Sequence, residues 1–219
     1  MERVIVLDTE TTGLDVEDGH RIIEIGCIEI IDRTITSNSF HQYLNPQRLV
    51  DEKAYEVHGI SNEFLKDKPR FSDIIDKFTD YISNSPLVIH NAAFDLGFLK
   101  AEYKLSNHQN IDLDDDREII DTLKIARGKS PGKRNTLDAL CSRYSVDNTD
   151  RSLHGALLDA KLLANVYLRM TQGQTLIEGL SDVTSSNNDN KIEVVQNRKP
   201  IIIHANDNEA EEHDNYFKR

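Results

Sequence analysis

A chain of 219 residues, 38% hydrophobic and 29% charged, is long enough for one domain with a packed core plus a smaller appendage. No apolar run approaches the ~20 residues a membrane-spanning helix needs, and the first eight residues lack the long apolar core and cleavage site of a secretory signal. Cys27 and Cys141 are the only cysteines, each in an apolar segment, which argues against a disulfide framework and for a reducing, cytoplasmic setting.

The formal charge of −12 opposes tight, non-specific binding to a polyanion. Its distribution matters. From Gln174 onward nine acids face five bases, leaving −4 on the tail and −8 on the body. If four body carboxylates hold two divalent cations, the working body falls to −4, because bound metal inverts the local field.

In chain order, residues 3–9 and 22–31 are rich in Val and Ile and read as strands, with residues 37–44 a weaker third. Gly13 and Asp18-Gly19 mark the first turn, Asp32-Arg33 the second. Residues 53–57 form a short helical piece. Phe71, Ile74, Ile75, Phe78, Tyr81 and Ile82 recur at helical spacing and predict a helix over 71–83. After Pro86 come a buried strand at 87–90, a helix over 92–105 and a short strand at 118–121. Helices are expected at 123–126, 137–144 and 156–170. This order implies an α/β layer with a mixed sheet. After Gly173 the composition changes, and residues 181–190 read as a flexible linker. The domains are therefore residues 1–173 and a tail over 174–219.

Three constellations carry chemistry. In Asp8-Thr9-Glu10-Thr11-Thr12-Gly13, side chains two apart share a strand face, so Asp8 and Glu10 project together in line with Val4 and Val6. Such close carboxylates repel unless cations lie between them, and hard oxygen donors suit Mg²⁺ or Mn²⁺. The ordinary alternative is a solvated strand end. In His90-Asn91-Ala92-Ala93-Phe94-Asp95, Asn91 is expected to cap a helix through its side chain, and Asp95 to face back toward the sheet edge. An acid in a first helical turn is also favourable by itself. In His154-Gly155-Ala156-Leu157-Leu158-Asp159, an acid flanked by leucines follows a loop histidine able to serve as general base. Acids on a strand end, a strand–helix junction and a later helix match two-metal phosphodiester hydrolysis, in which ions ~4 Å apart stabilise the attacking and leaving oxygens.

These motifs, in order and with their local sequence, resemble the DEDDh 3′→5′ exonucleases over residues 3 to about 174. Val57-His58-Gly59-Ile60-Ser61, residues 62–69 and residues 131–141 resemble the branch formed by the epsilon proofreading subunits of bacterial DNA polymerase III. The resemblance implies a ribonuclease H-like fold, a mixed five-stranded sheet flanked by helices with a flexible C-terminal tail. It implies that Asp8, Glu10, Asp95 and Asp159 hold two cations, Asp8 bridging both and Asp95 acting through water, while His154 deprotonates the attacking water. Thr9, Thr11, Thr12 and His58 would surround the terminal nucleotide of a DNA 3′ end, with His90 and Asn91 positioning. Asp121 and Asp138 are expected to serve the structure, satisfying loop and helix backbone groups. Lys124, Arg127, Lys129, Lys133 and Arg134 either guide a phosphate backbone or form a solvated face.

In the tail, residues 174–180 resemble a sliding-clamp-binding segment without its aromatic residue, and residues 200–217 resemble the part that docks on the polymerase catalytic (alpha) subunit. For residues 192–195 a disordered strand of tail is equally acceptable. Two alternatives stand beside DNA proofreading: a DEDDh exoribonuclease trimming RNA 3′ ends, since the phosphodiester is shared, and a non-catalytic interaction module on the same fold.

Overall fold

The structure is a computed structural model that describes residues 2–107, 113 and 117–173; the readings made for residues 174–180, 181–190, 192–195 and 200–217 lie outside them. Strands β1 (Arg3–Thr11), β2 (Ile22–Ile31) and β3 (Thr34–Tyr43) form an antiparallel meander. Asp32 (φ 47°) and Arg33 (φ 62°) make the two-residue turn between β2 and β3, with the positive φ that matches strand twist. Neither is glycine, and each side chain is tied down. Asp32 accepts a hydrogen bond from the Glu2 amide, and Arg33 donates to the Leu168 carbonyl at 2.7 Å.

The chain then runs through α1 (Glu52–His58), α2 (Asn62–Leu65) and α3 (Phe71–Ile82) to β4 (Leu87–Ile89), α4 (Ala92–Leu105), β5 (Ile119–Asp121), α5 (Thr122–Lys129), α6 (Leu137–Arg143) and α7 (Ala156–Met170). β4 pairs parallel with β1 and β5 parallel with β4, so the five-stranded sheet has the order β3-β2-β1-β4-β5 and is mixed, as expected.

Strand parity sorts the core into two layers. Ile5, Leu7, Ile25 and Cys27 face α3 and α4, packing on Phe71, Phe78, Phe98 and Tyr103. Val4, Val6, Ile28 and Ile30 face α6 and α7, packing on Leu140, Ala160, Leu163 and Val166. Each fully buried large side chain contributes about 1.5–3 kcal/mol. Position 8 thus continues the α7-facing row that Val4 and Val6 begin.

Several boundaries differ from expectation. β1 runs on to Thr11 because β-branched threonines extend it, and its pairing with β2 shifts register between Glu10 and Thr11, an irregularity that re-aims side chains. β3 begins at Thr34, directly after the tight turn. α2 was not expected; Ser61 caps it by accepting the Phe64 amide at 3.2 Å. α5 reaches Lys129, its start fixed by Asp121, which accepts the Leu123 and Lys124 amides. No helix among the described residues is long and apolar enough to cross a membrane.

Candidate active site

The C-terminal part of β1, the N-termini of α4 and α7 and the loop before α7 surround a cleft of about 760 Å³. Asp8, Glu10, Asp95, His154 and Asp159 all line it, together with Thr9, His90 and Asn91. The sequence separates Asp8 from Asp159 by 151 positions, and the fold brings these groups together.

Each acid has a specific support. Asp95, 3% exposed, accepts a 2.7 Å hydrogen bond from the Thr9 hydroxyl, which ties β1 to α4. Asp159 is one turn into α7, and the start of that helix is held against β2. There the buried Glu24 accepts the Ala156 amide at 3.1 Å and contacts His41 Nε2 at 2.7 Å. Gly26, which pairs with Asp8 across the strands, lets α7 approach; a Cβ there would lie 2.3 Å from the Ala156 carbonyl carbon. The Glu10, His154 and Asp159 ligand atoms lie within 4.8 Å of one another.

Crowding shows in the acidities. Burial raises the Asp8 carboxyl well above the usual range, and Asp95, Glu10 and Asp159 raise it further. Glu10 is pushed up to about 8 by burial, then by Asp159, Glu24 and Asp95. Asp95 is pushed up to about 7 by burial, against the opposing hydrogen bond from Thr9. Carboxylates in this condition want positive charge. Hard carboxylate oxygens gathered in this way are a donor set for divalent cations.

One positive charge comes from the protein. Arg151, whose side chain is 6% exposed, grips both oxygens of Asp159 at 2.6 Å through Nε and Nη2. Its Nη1 donates to Asp138 at 2.7 Å, and Nη2 lies 3.0 Å from His154 Nδ1. His154 is half exposed, its backbone amide donates to the Val57 carbonyl, and its pKa is lowered by burial and by Arg151.

A second groove of about 400 Å³ also touches Thr9, Glu10 and Phe94, and runs past Thr11, Leu14, Val57 and His58. His58 is 5% exposed and accepts the Ile60 amide at Nδ1, which puts the ring proton on Nε2. That Nε2 makes no hydrogen bond. Burial lowers the pKa of His58, so the ring stays neutral. The Thr11 backbone beside the ring works in the opposite direction, raising the pKa.

Three sequence expectations need correction. The side chain of Thr12 does not reach either groove: it is 0% exposed, contacts His20 Nδ1 at 3.0 Å and accepts the Arg21 amide. Asn91 starts α4 without a side-chain cap, because its left-handed backbone (φ 68°) turns the side chain away from the helix amides. Its own amide instead donates to Asp121 at 3.3 Å. Asp138 does not serve the backbone with its carboxylate but holds Arg151 and Asn148. Of the basic residues, Arg127, Lys133 and Arg134 line the main cleft, whereas Lys124 lies beside Asp121 on another face.

Sequence reading missed Glu24, Gly26 and Arg151. Glu24 had a signal, the one acid on the α7-facing parity of an isoleucine-rich strand. Arg151, in a run of polar loop residues, had none.

The sequence profile of the Exonuclease family matches residues 5–167. The chain is 56% identical over 177 residues to DNA polymerase III subunit epsilon of Salmonella typhimurium, covering 79% of this chain and 73% of that one. It is 48% identical over 224 residues to the subunit of the same name in Buchnera aphidicola, covering 99% and 96%. Among solved structures it resembles exonuclease X in complex with 5′ overhanging duplex DNA (TM-score 0.61, 27% identity, 78% of this chain and 93% of that one). The fold is also that of the nuclease domain of 3′hExo, a DEDDh family member, bound to rAMP (TM-score 0.67, 21% identity, 78% and 92%). With the profile spanning most of the chain and relatives of this identity aligned over most of their length, the chain belongs to the exonuclease family, among the epsilon subunits of DNA polymerase III.

Proposed function

We propose that this chain is a divalent-cation-dependent 3′→5′ exonuclease. It hydrolyses the terminal phosphodiester of a DNA strand, releases nucleoside 5′-monophosphates and serves as the proofreading subunit of the replicative polymerase. The observation that carries this reading is the convergence of Asp8, Glu10, Asp95, Asp159 and His154 on one cleft. Asp8, Glu10, Asp95 and Asp159 are assigned as the ligands of two Mg²⁺ or Mn²⁺ ions. Asp8 feels the charge of all three other acids, which suits a ligand shared by both ions. Bound cations would supply charge stabilisation at the attacking and leaving oxygens and acidify the attacking water.

The chain's own groups do the rest. His154 is the base, kept neutral by its lowered pKa and reachable from the cleft. To take the water's proton at Nε2 it must carry its own proton at Nδ1, and Asp159 Oδ2, 3.4 Å away, is the group to accept that hydrogen bond. Thr9, Thr11 and His58 border the groove assigned to the terminal nucleotide. Asn91 contributes from the edge of the main cleft. Arg127, Lys133 and Arg134 face the preceding phosphates, contacts that position a strand without reading its sequence.

A mismatched end frays at lower cost than a paired one and enters the cleft more readily. Hydrolysis of matched and mismatched DNA primer ends, compared with RNA of the same sequence, tests the assignment. Mismatched DNA should be degraded fastest; faster trimming of RNA would overturn the DNA reading. We assign the tail, residues 174–219, to docking: residues 200–217 to the alpha subunit and residues 174–180 to the sliding clamp. The Buchnera match supports this by extending across nearly the whole chain. The free, buried Cys27 and Cys141 suit a cytoplasmic setting.

A further inference from the structure

Resting on that reading of the carboxylates as metal ligands, we propose that Arg151 is an internal counter-cation that competes with the metal for Asp159, so that cation loading and release of Arg151 are one event. The geometry is specific. The guanidinium fork donates to both oxygens of the Asp159 carboxylate, each bond at 2.6 Å, which engages one lone pair on each oxygen. Asp159 sits 3% exposed in a fixed place on α7, so it has little room to turn toward a second partner. A divalent ion of the Mg²⁺ class takes its oxygen ligands at about 2.0–2.1 Å in octahedral geometry. A guanidinium at that carboxylate adds a repulsive charge next to the ion. Both partners cannot hold Asp159 on the same terms.

Asp138 supplies the alternative seat. Its carboxylate is 59% exposed at the cleft rim and already bonds Arg151 Nη1 at 2.7 Å. Pivoting on that bond, Arg151 gives up Asp159 without leaving the site. The same contact bears on His154. Arginine is always a donor, so the Nη2 contact at 3.0 Å makes His154 Nδ1 an acceptor and leaves the ring proton on Nε2. In that tautomer the ring has no free lone pair for a water's proton. When Arg151 withdraws, Nδ1 can carry the proton toward Asp159 and Nε2 becomes the acceptor. Arg151 is thus a positioning residue that keeps the base idle until the ligands are engaged.

The test is Mn²⁺ binding to the full chain, read from the signal of free Mn²⁺ in electron paramagnetic resonance, at fixed pH. Arg151→Gln keeps a polar but shorter side chain without the charge, and Arg151→Lys keeps the charge without the fork. Arg151→Gln should bind Mn²⁺ about tenfold more tightly than the wild type, a shift of ~1.4 kcal/mol, with Arg151→Lys between them. In chelator, Arg151→Gln should melt below the wild type, because Asp159 has lost its partner, and saturating Mn²⁺ should close that gap. Unchanged or weaker Mn²⁺ affinity in an Arg151→Gln protein with native circular dichroism would overturn the competition. Asp159→Ala, run alongside, separates the two readings: wild-type Mn²⁺ binding in that variant would defeat the metal assignment itself.

Discussion

Glu24 Oε2 accepts the backbone amide of Ala156 at 3.1 Å, so a carboxylate near the start of β2 holds the first turn of the helix that presents Asp159. The bond spans 132 positions of sequence and is buried on both sides. Beside it, Gly26 leaves space that the helix backbone fills. Together they set where α7 begins relative to Asp8.

Glu24→Ala should therefore cost about 1–3 kcal/mol of stability, the penalty for leaving a buried amide unpaired. It should lower hydrolysis by more than the loss of folded protein accounts for. Gly26→Ala should act in the same direction, by about 1–3 kcal/mol for overpacking, since its methyl group meets the Ala156 backbone. Urea titration and single-turnover hydrolysis at a temperature where both variants are folded check this.

Asp8→Ala should abolish hydrolysis, by a factor on the order of 10³ or more, because several kcal/mol of charge stabilisation depart with the ions. The fold should survive. Removal of a carboxylate whose pKa is raised by burial and three acidic neighbours should leave the chelated protein as stable as the wild type or more so. A nuclease assay and a melt in chelator measure the two halves separately.

The raised pKa values of Glu10 and Asp95, about 8 and about 7, set a direction for pH. The folded chain binds protons that the unfolded chain has released, so stability without metal is fullest below the ordinary carboxylate range. It declines as pH rises through 7 and 8. Melting in chelator from pH 5 to 8 should show this decline, and saturating Mg²⁺ or Mn²⁺ should flatten it. Cation binding near neutral pH should release protons, measurable by calorimetry in buffers of different ionisation enthalpy.

Deletion after Gly173 should spare hydrolysis of short single strands, since every group assigned to the cleft precedes that point. It should abolish association with the polymerase alpha subunit, read by co-elution of the full-length and shortened chains.

Much of the fold was legible because the strands and long helices carry their own signals. The Val- and Ile-rich runs of β1 and β2 and the helical spacing of α3 stand out without any knowledge of their partners. α2, at four residues, is too short to show a period. The acids at 8, 10, 95 and 159 were visible as motifs, each placed next to an apolar element. What could not be read was long-range or conformational. The anchoring of Ala156 by Glu24 is a tertiary bond, and the missing cap at Asn91 follows from a backbone angle set by the β4–α4 turn. Thr12 looked like its neighbours, but it lies past the end of β1, where contacts with His20 and Arg21 bury it.

Diffraction from crystals soaked in Mn²⁺, recorded for anomalous signal, tests the central claim most directly. The account predicts two peaks ~4 Å apart, both within ligand distance of carboxylates among Asp8, Glu10, Asp95 and Asp159, with Asp8 touching both. Peaks elsewhere on the chain, with these four side chains left unligated at saturating Mn²⁺, would contradict it.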